Sequence, residues 1–166
     1  DGRIDRVVLG ARWGLYFLND SGNYSIGGVS LTTPEGREKG FEALSEFVGR
    51  LVRDHEVTLV LDVPGGPSLD PRNLMWRRSY LGIRPGGQRK MSVLEYLDGE
   101  GSLRERLKRI AEERGAKLID PLPYLTEGSD CVAMDGNGPI RFDRSHLRPS
   151  YVREHAFWMD QTVQER

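Results

Sequence analysis

The chain predicts an α/β fold, a three-layer αβα sandwich around a mainly parallel sheet, and three observations predict it. Short runs rich in valine and leucine, "RVVLG", "VTLVL" and "KLI", alternate with stretches of helical periodicity. The order strand, helix, strand, helix, strand, helix favours parallel strands covered by helices on both faces. The strand ends carry Arg12–Trp13, Asp62–Pro64 and Asp120–Pro121, and in such sheets ligands bind beyond the carboxyl ends of the strands.

Each element has its own local cause. Residues 6–13, "RVVLGARW", read as a buried strand that ends near Arg12 and Trp13. Residues 19–28, "NDSGNYSIGG", are turn chemistry with room for a small hairpin. Thr33 before Pro34 is a helix start, a threonine cap with proline at the first helical position. Phe41, Leu44, Val48, Leu51 and Val52 recur at helical spacing, which predicts an amphipathic helix over 34–54. Residues 57–64, "VTLVLDVP", read as a second buried strand stopped by Pro64. Residues 65–90 read as a loop rich in Pro, Gly and Arg, and a loop of that length in a compact domain is functional or mobile. Ser102 and Glu105 form a capping-box pattern, so a helix is expected over 102–115, stopped by Gly115. Residues 116–121, "AKLIDP", are the third strand, and 122–147 a loop. Pro149 opens a last helix, with Val152, Ala156, Met159 and Val163 on one face.

The 166 residues suit one domain with a real core, read here as a single unit over 1–166. Hydrophobic residues make up 37% and charged residues 30%, a globular rather than a disordered balance. No apolar run approaches the roughly 18 residues that span a bilayer. The net charge of −1 exerts no general pull on nucleic acid or anionic membrane. The single cysteine, Cys131, cannot form an internal disulfide. The first residue is Asp and the chain enters a strand within a few residues, so the domain reads as amino-terminally incomplete, processed or cut from something longer.

The chemistry-bearing pair is Asp143 and His146 in "FDRSHLRPSY". In acyl transfer a histidine takes a proton from a serine and returns it, while a carboxylate fixes the tautomer of that histidine. One turn of chain lets Asp143 reach the near ring nitrogen of His146. By itself the spacing also fits an Asp that only caps a turn.

The block "FDRSHLRPSYVREHAFWMDQTV" resembles the carboxy-terminal block of the SGNH hydrolase superfamily, and more closely that of the extracytoplasmic SGNH domain fused to bacterial acyltransferase-3 membrane proteins. Those domains end in an aromatic, Asp, two variable residues, His-Leu and a helix, here Phe142, Asp143, Arg144, Ser145, His146 and Leu147. "VVLGARWGLY" is similar to the strand of the third superfamily block, and "IDPLPYL" to the last strand and loop. The resemblance covers roughly 5 to 163.

The resemblance implies an SGNH or flavodoxin-like sandwich that lacks its first strand and helix. It implies His146 as general base, oriented by Asp143. Arg12 and Trp13 stand where stand-alone SGNH enzymes carry an oxyanion-donating Asn. Either could donate to an oxyanion or substrate; equally, Trp13 could pack against the sheet edge and Arg12 make a surface salt bridge. The Gly-Asp-Ser nucleophile block is absent. The resemblance therefore places the serine upstream of residue 1, on a separate chain, or nowhere if it has been lost. Relatives often carry two cysteines in the loop after the last strand; here Cys131 stands with Thr126 near the place of the other.

The implied function is an O-acyltransferase or esterase acting on acyl groups, in the first place acetyl, of cell-surface glycans. Its partners would be an acyl donor, a glycan acceptor and a membrane-embedded acyltransferase domain in the same full-length protein. The location would be extracytoplasmic, tethered to the inner membrane. A non-catalytic glycan-binding or scaffold domain of the same fold is the alternative. No metal or nucleotide cofactor is expected, because His55, His146 and His155 lack ligand spacing and no phosphate-loop pattern occurs. Arg72, Arg77, Arg78, Arg84, Arg89 and Lys90, interleaved with Trp76 and Tyr80, have the composition of a stacking and phosphate surface. The negative net charge argues against a nucleic-acid partner.

Overall fold

The computed structural model describes residues 4–18, 24–78, 82–85 and 90–163, with the backbone alone described for 76–78 and 82–85. Strand β1 (Arg6–Gly10) is shorter than the expected run, because Trp13 already begins a helix, α1 (Trp13–Phe17). The cause is Asp62, whose carboxylate accepts the backbone N–H groups of Trp13 and Gly14 and so satisfies donors of the first helical turn. A hairpin of β2 (Ser25–Ile26) and β3 (Val29–Ser30) follows. Gly27 and Gly28 turn it with φ of 56° and 78°, the pair of left-handed residues that a primed hairpin turn requires. The Asn19–Asp20 dipeptide lies outside the described residues.

Helix α2 (Pro34–Leu51) starts as the Thr-Pro pair predicts, with Thr33 Oγ1 accepting from Gly36 N–H at 3.1 Å. After β4 (Glu56–Val60), the expected long loop carries structure of its own. It holds a short helix, α3 (Pro71–Leu74), and an antiparallel hairpin of β5 (Met75–Arg78) and β6 (Gly82–Pro85).

The next helix differs most from expectation. Helix α4 runs over Val93–Arg114, so Ser102 and Glu105 lie inside it and cap nothing. The cap is Ser92, whose Oγ accepts from Glu95 N–H at 3.0 Å, a Ser-x-x-Glu pattern ten residues earlier. Gly99 and Gly101 lie inside the helix, where each costs only about 1 kcal/mol, and the apolar face made by Leu103, Leu107 and Ile110 is buried.

Beyond β7 (Lys117–Ile119), two small hairpins fill the second loop: β8 (Thr126–Glu127) with β9 (Asp130–Cys131), and β10 (Met134–Asp135) with β11 (Gly138–Pro139). Thr126 pairs directly with Cys131. Helix α5 (Pro149–His155) ends early and passes into a 3-10 turn over Phe157–Thr162. The change of pitch overturns the expected buried face. Tyr151 and Trp158 are 6% and 5% exposed, whereas Val152 and Val163 are 41% and 74% exposed.

The architecture is α/β, with β1, β4 and β7 in one parallel sheet in the order β1–β4–β7. Val7 stands opposite Val57, and Leu9 opposite Leu59, which in turn faces Leu118. This register sets apolar residues of neighbouring strands side by side, and Val57, Thr58 and Leu59 are buried in succession, as a parallel sheet covered on both faces demands. The chain divides into two compact units, and the division falls inside α4. The first unit holds the residues up to Asp62, Gly99–Pro121 and the segment from Thr162. Its core joins Val57, Leu59 and Leu61 to Phe41 and Val48 of α2 and to Leu103, Leu107 and Ile110 of α4. The Phe17 and Phe41 rings stack at 4.5 Å. The second unit, Val63–Asp98 with Leu122–Gln161, has a smaller core of Leu69, Met91, Tyr96 and Cys131. No helix among the described residues is long and apolar enough to cross a membrane.

Candidate active site

In the second unit Asp143 and His146 meet. The turn at 143–146 is held by Asp143 Oδ1, which accepts from Ser145 N–H at 2.7 Å and from His146 N–H at 2.8 Å. The other oxygen, Oδ2, lies 2.8 Å from His146 Nδ1. The two readings of the spacing are therefore both true: one oxygen caps the turn and the other holds the histidine. With Nδ1–H donated to the carboxylate, Nε2 is the ring nitrogen left to accept a proton. The hydrogen bond from the His146 ring, with those from the two backbone N–H groups, holds the Asp143 carboxyl down at about 2, against an ordinary 3.8. The carboxylate is thus ionised across the physiological range. The His146 side chain is 66% exposed and that of Asp143 41%.

The turn is closed at its base by a short antiparallel ladder. Phe142 N–H donates to the His146 carbonyl at 2.8 Å, and Arg148 N–H to the Ile140 carbonyl at 2.8 Å. Its outer side is tied to the segment after β4, where Gly66 N–H donates to the Arg144 carbonyl at 2.9 Å. A β-carbon on Gly65 would stand 3.0 Å from the same oxygen, and Gly66 has φ of 135°, so glycine is required for this approach. Nearby, the buried Asp70 grips the exposed Arg72 through Nε and Nη2, the latter at 2.6 Å. Asp143 contributes to the electrostatics of both Asp70 and Arg72. Neither Asp70 nor Gly66 carries a signal in the sequence beyond the loop chemistry around it.

Of the arginine-rich loop, Arg72 is thus committed to Asp70, and Lys90 pairs with Asp130 at 2.9 Å. The side chains of Trp76, Arg77, Arg78, Tyr80, Arg84 and Arg89 lie outside the described residues.

Arg12 and Trp13 belong to the first unit. Trp13 is 8% exposed, and its indole N–H donates to the Val60 carbonyl at 2.8 Å. Its backbone N–H donates to Asp62 Oδ1 at 3.1 Å. The ring is thus packed on the sheet, one of the two arrangements the sequence leaves open, and its one side-chain donor is occupied by main chain. Arg12 is exposed, within electrostatic reach of Asp62 and Glu100. Among the described residues it forms no ion pair, so its guanidinium remains a candidate donor.

The same rim contains a charged cluster that the sequence hid. Arg104, 2% exposed, donates to the Asp62 carbonyl at 2.9 Å and pairs with Asp120. Burial pushes the Asp62 carboxyl up, against the pull of the Gly14 and Trp13 N–H groups and of Arg104 and Arg12. Glu100 is also raised, by burial and by the Asp62 charge. Glu100 and Arg104 are one turn apart on a charge-rich helix, where a charged residue is no signal by itself. The signal was their place beside Leu103 and Leu107, on the edge of the apolar stripe. Among the described residues no cluster of three or more His, Cys, Asp or Glu is arranged to hold a metal ion.

Compared with known families, residues 1–156 match the family described as SGNH domain (fused to AT3 domains). No curated protein and no solved structure matches the chain significantly. The match spans the parallel sheet, the paired Asp143 and His146, and α5.

Proposed function

The chain belongs to the family of SGNH domains fused to AT3 domains, and from that premise we propose that it carries the base and its orienting carboxylate for O-acyl transfer to, or hydrolysis from, cell-surface glycans. Acyl-transfer or esterase-type chemistry is what this family implies. The observation that carries the reading here is the Asp143 Oδ2–His146 Nδ1 contact of 2.8 Å, with Nε2 turned to the free side of the ring.

The reaction follows from that geometry. A serine outside these 166 residues gives its proton to His146 Nε2 as its oxygen attacks an acyl carbonyl. Asp143 stabilises the imidazolium that forms, and His146 then protonates the leaving oxygen. A sugar hydroxyl, or water, gives its proton to the same Nε2 and takes the acyl group, acetyl in the first instance. An AT3 domain of the same protein would deliver the acyl group across the membrane to this domain on the extracytoplasmic side. The exposure of His146 and Asp143 supports a serine supplied from elsewhere, since such a piece has room to cover the pair.

The test is His146→Ala in the full-length protein, assayed for acyl release and acyl transfer. The expected loss is about 10³-fold or more in turnover, with the protein still folded. Activity within a few-fold of wild type ends the assignment and leaves a non-catalytic glycan-binding or scaffold role, the second reading, which a full-length protein without a Gly-Asp-Ser segment would favour.

A further inference from the structure

Two residues before Asp143, Arg141 is 2% exposed, among the most deeply buried side chains of the second unit. Among the described residues no carboxylate pairs with it. Its Nε and Nη2 donate to the Pro64 carbonyl at 3.0 and 2.6 Å, and its Nη1 to the Val132 carbonyl at 2.8 Å. Burial pulls its pKa down to about 10, which leaves it charged at neutral pH. A buried cation without a counter-ion is costly, and an apolar side chain of similar volume would fill the same space without that cost. What the guanidinium adds is direction: a planar fork with fixed donors that fits carbonyls from two separate segments at once.

Those segments flank the Asp143–His146 turn. Pro64 precedes Gly65 and Gly66, and Gly66 N–H holds the Arg144 carbonyl from the other side. Val132 precedes Ala133, whose carbonyl accepts from Ile140 N–H at 3.0 Å. Arg141 itself bridges to Leu147 across the base of the turn. The turn is therefore anchored once at its base, by the Arg141 fork, and once at its tip, by Gly66.

We propose that Arg141 is the positioning residue of the Asp143–His146 pair, its buried guanidinium clamping the turn that carries the pair to the backbone at Pro64 and Val132. The inference rests on the proposed role of that pair. A merely structural arginine would change global stability and leave the geometry within the turn untouched. A positioning residue changes the turn first.

The experiment is NMR on the 166-residue chain with Arg141→Lys and Arg141→Met. The Asp143 carboxyl titration and the hydrogen exchange of the Ser145 and His146 amides are read against the Leu59 amide of β4. In variants that keep a dispersed spectrum, the Asp143 midpoint is expected to climb from about 2 toward the ordinary 3.8, less in Lys than in Met. The Ser145 and His146 amides are expected to exchange at least about 10-fold faster while Leu59 keeps its protection. An unchanged midpoint and unchanged exchange in a folded variant overturn the proposal. Should both variants fail to fold, wild-type exchange decides. Gly66, Ser145 and His146 should then open together as one unit, and Ser145 and His146 exchanging freely while Gly66 stays protected would overturn it. None of these readouts uses activity, so they stand apart from the His146→Ala assay.

Discussion

Asp143 uses its two carboxylate oxygens differently, and that division makes a prediction about acid. Oδ1 is saturated by the N–H groups of Ser145 and His146, and Oδ2 by the His146 ring. All three bonds are stronger to the ionised form and hold the folded pKa down at about 2, below the ordinary 3.8. A carboxyl depressed in the folded state supports the fold in full above its ordinary pKa, and the support is lost as pH falls through the folded value. The turn should therefore persist at pH 4 and release His146 only as the pH approaches 2. Carbon-detected titration of the Asp143 carboxyl checks this; a midpoint at or above 3.8 would mean the pair is not formed in solution. At this scale the sequence was informative for Asp143 and His146, because a local turn three residues long brings them together. It was silent on Arg141, Asp70 and Arg104, whose partners lie far along the chain. It left Trp13 open between two roles, and the contact with Val60 that separates them comes from another strand.

Local signals placed most elements and misplaced their ends. The Thr33–Pro34 start of α2 and the glycine pair of the first hairpin were legible because each is fixed within a few residues. Helix α4 was half-seen, because the glycines at 99 and 101 hide a helix that long-range packing carries through them. Ser92 and Ser102 now have opposite expected roles. Ser92→Ala removes the acceptor of Glu95 N–H and should cost about 1 kcal/mol. Ser102→Ala changes an exposed position inside the helix and should be neutral or stabilising by about 0.5 kcal/mol. Urea denaturation of the two variants measures both, and a larger loss at Ser102 than at Ser92 would contradict the helix described here. The last helix fails its expected face for a related reason. Periodicity assumes one pitch, and the chain changes pitch at Ala156, after which Trp158 rather than Val163 is buried.

On the scale of the whole molecule, the parallel sheet was legible from alternation alone, while residues 65–90 and 122–147 were read as loops because the strands there are two to four residues long. The sheet also has an open edge. β1 pairs with β4 on one side, and among the described residues no strand pairs with its other edge, where Val8 is 42% exposed. An unpaired strand edge is a template for another strand. The most direct test is fluorophosphonate labelling of the full-length protein, wild type and His146→Ala, with the adduct located by peptide mapping. The account predicts one adduct, on a serine outside these 166 residues, that is lost or strongly slowed in His146→Ala. A label on a serine within this chain, or one that forms equally well without His146, would contradict it.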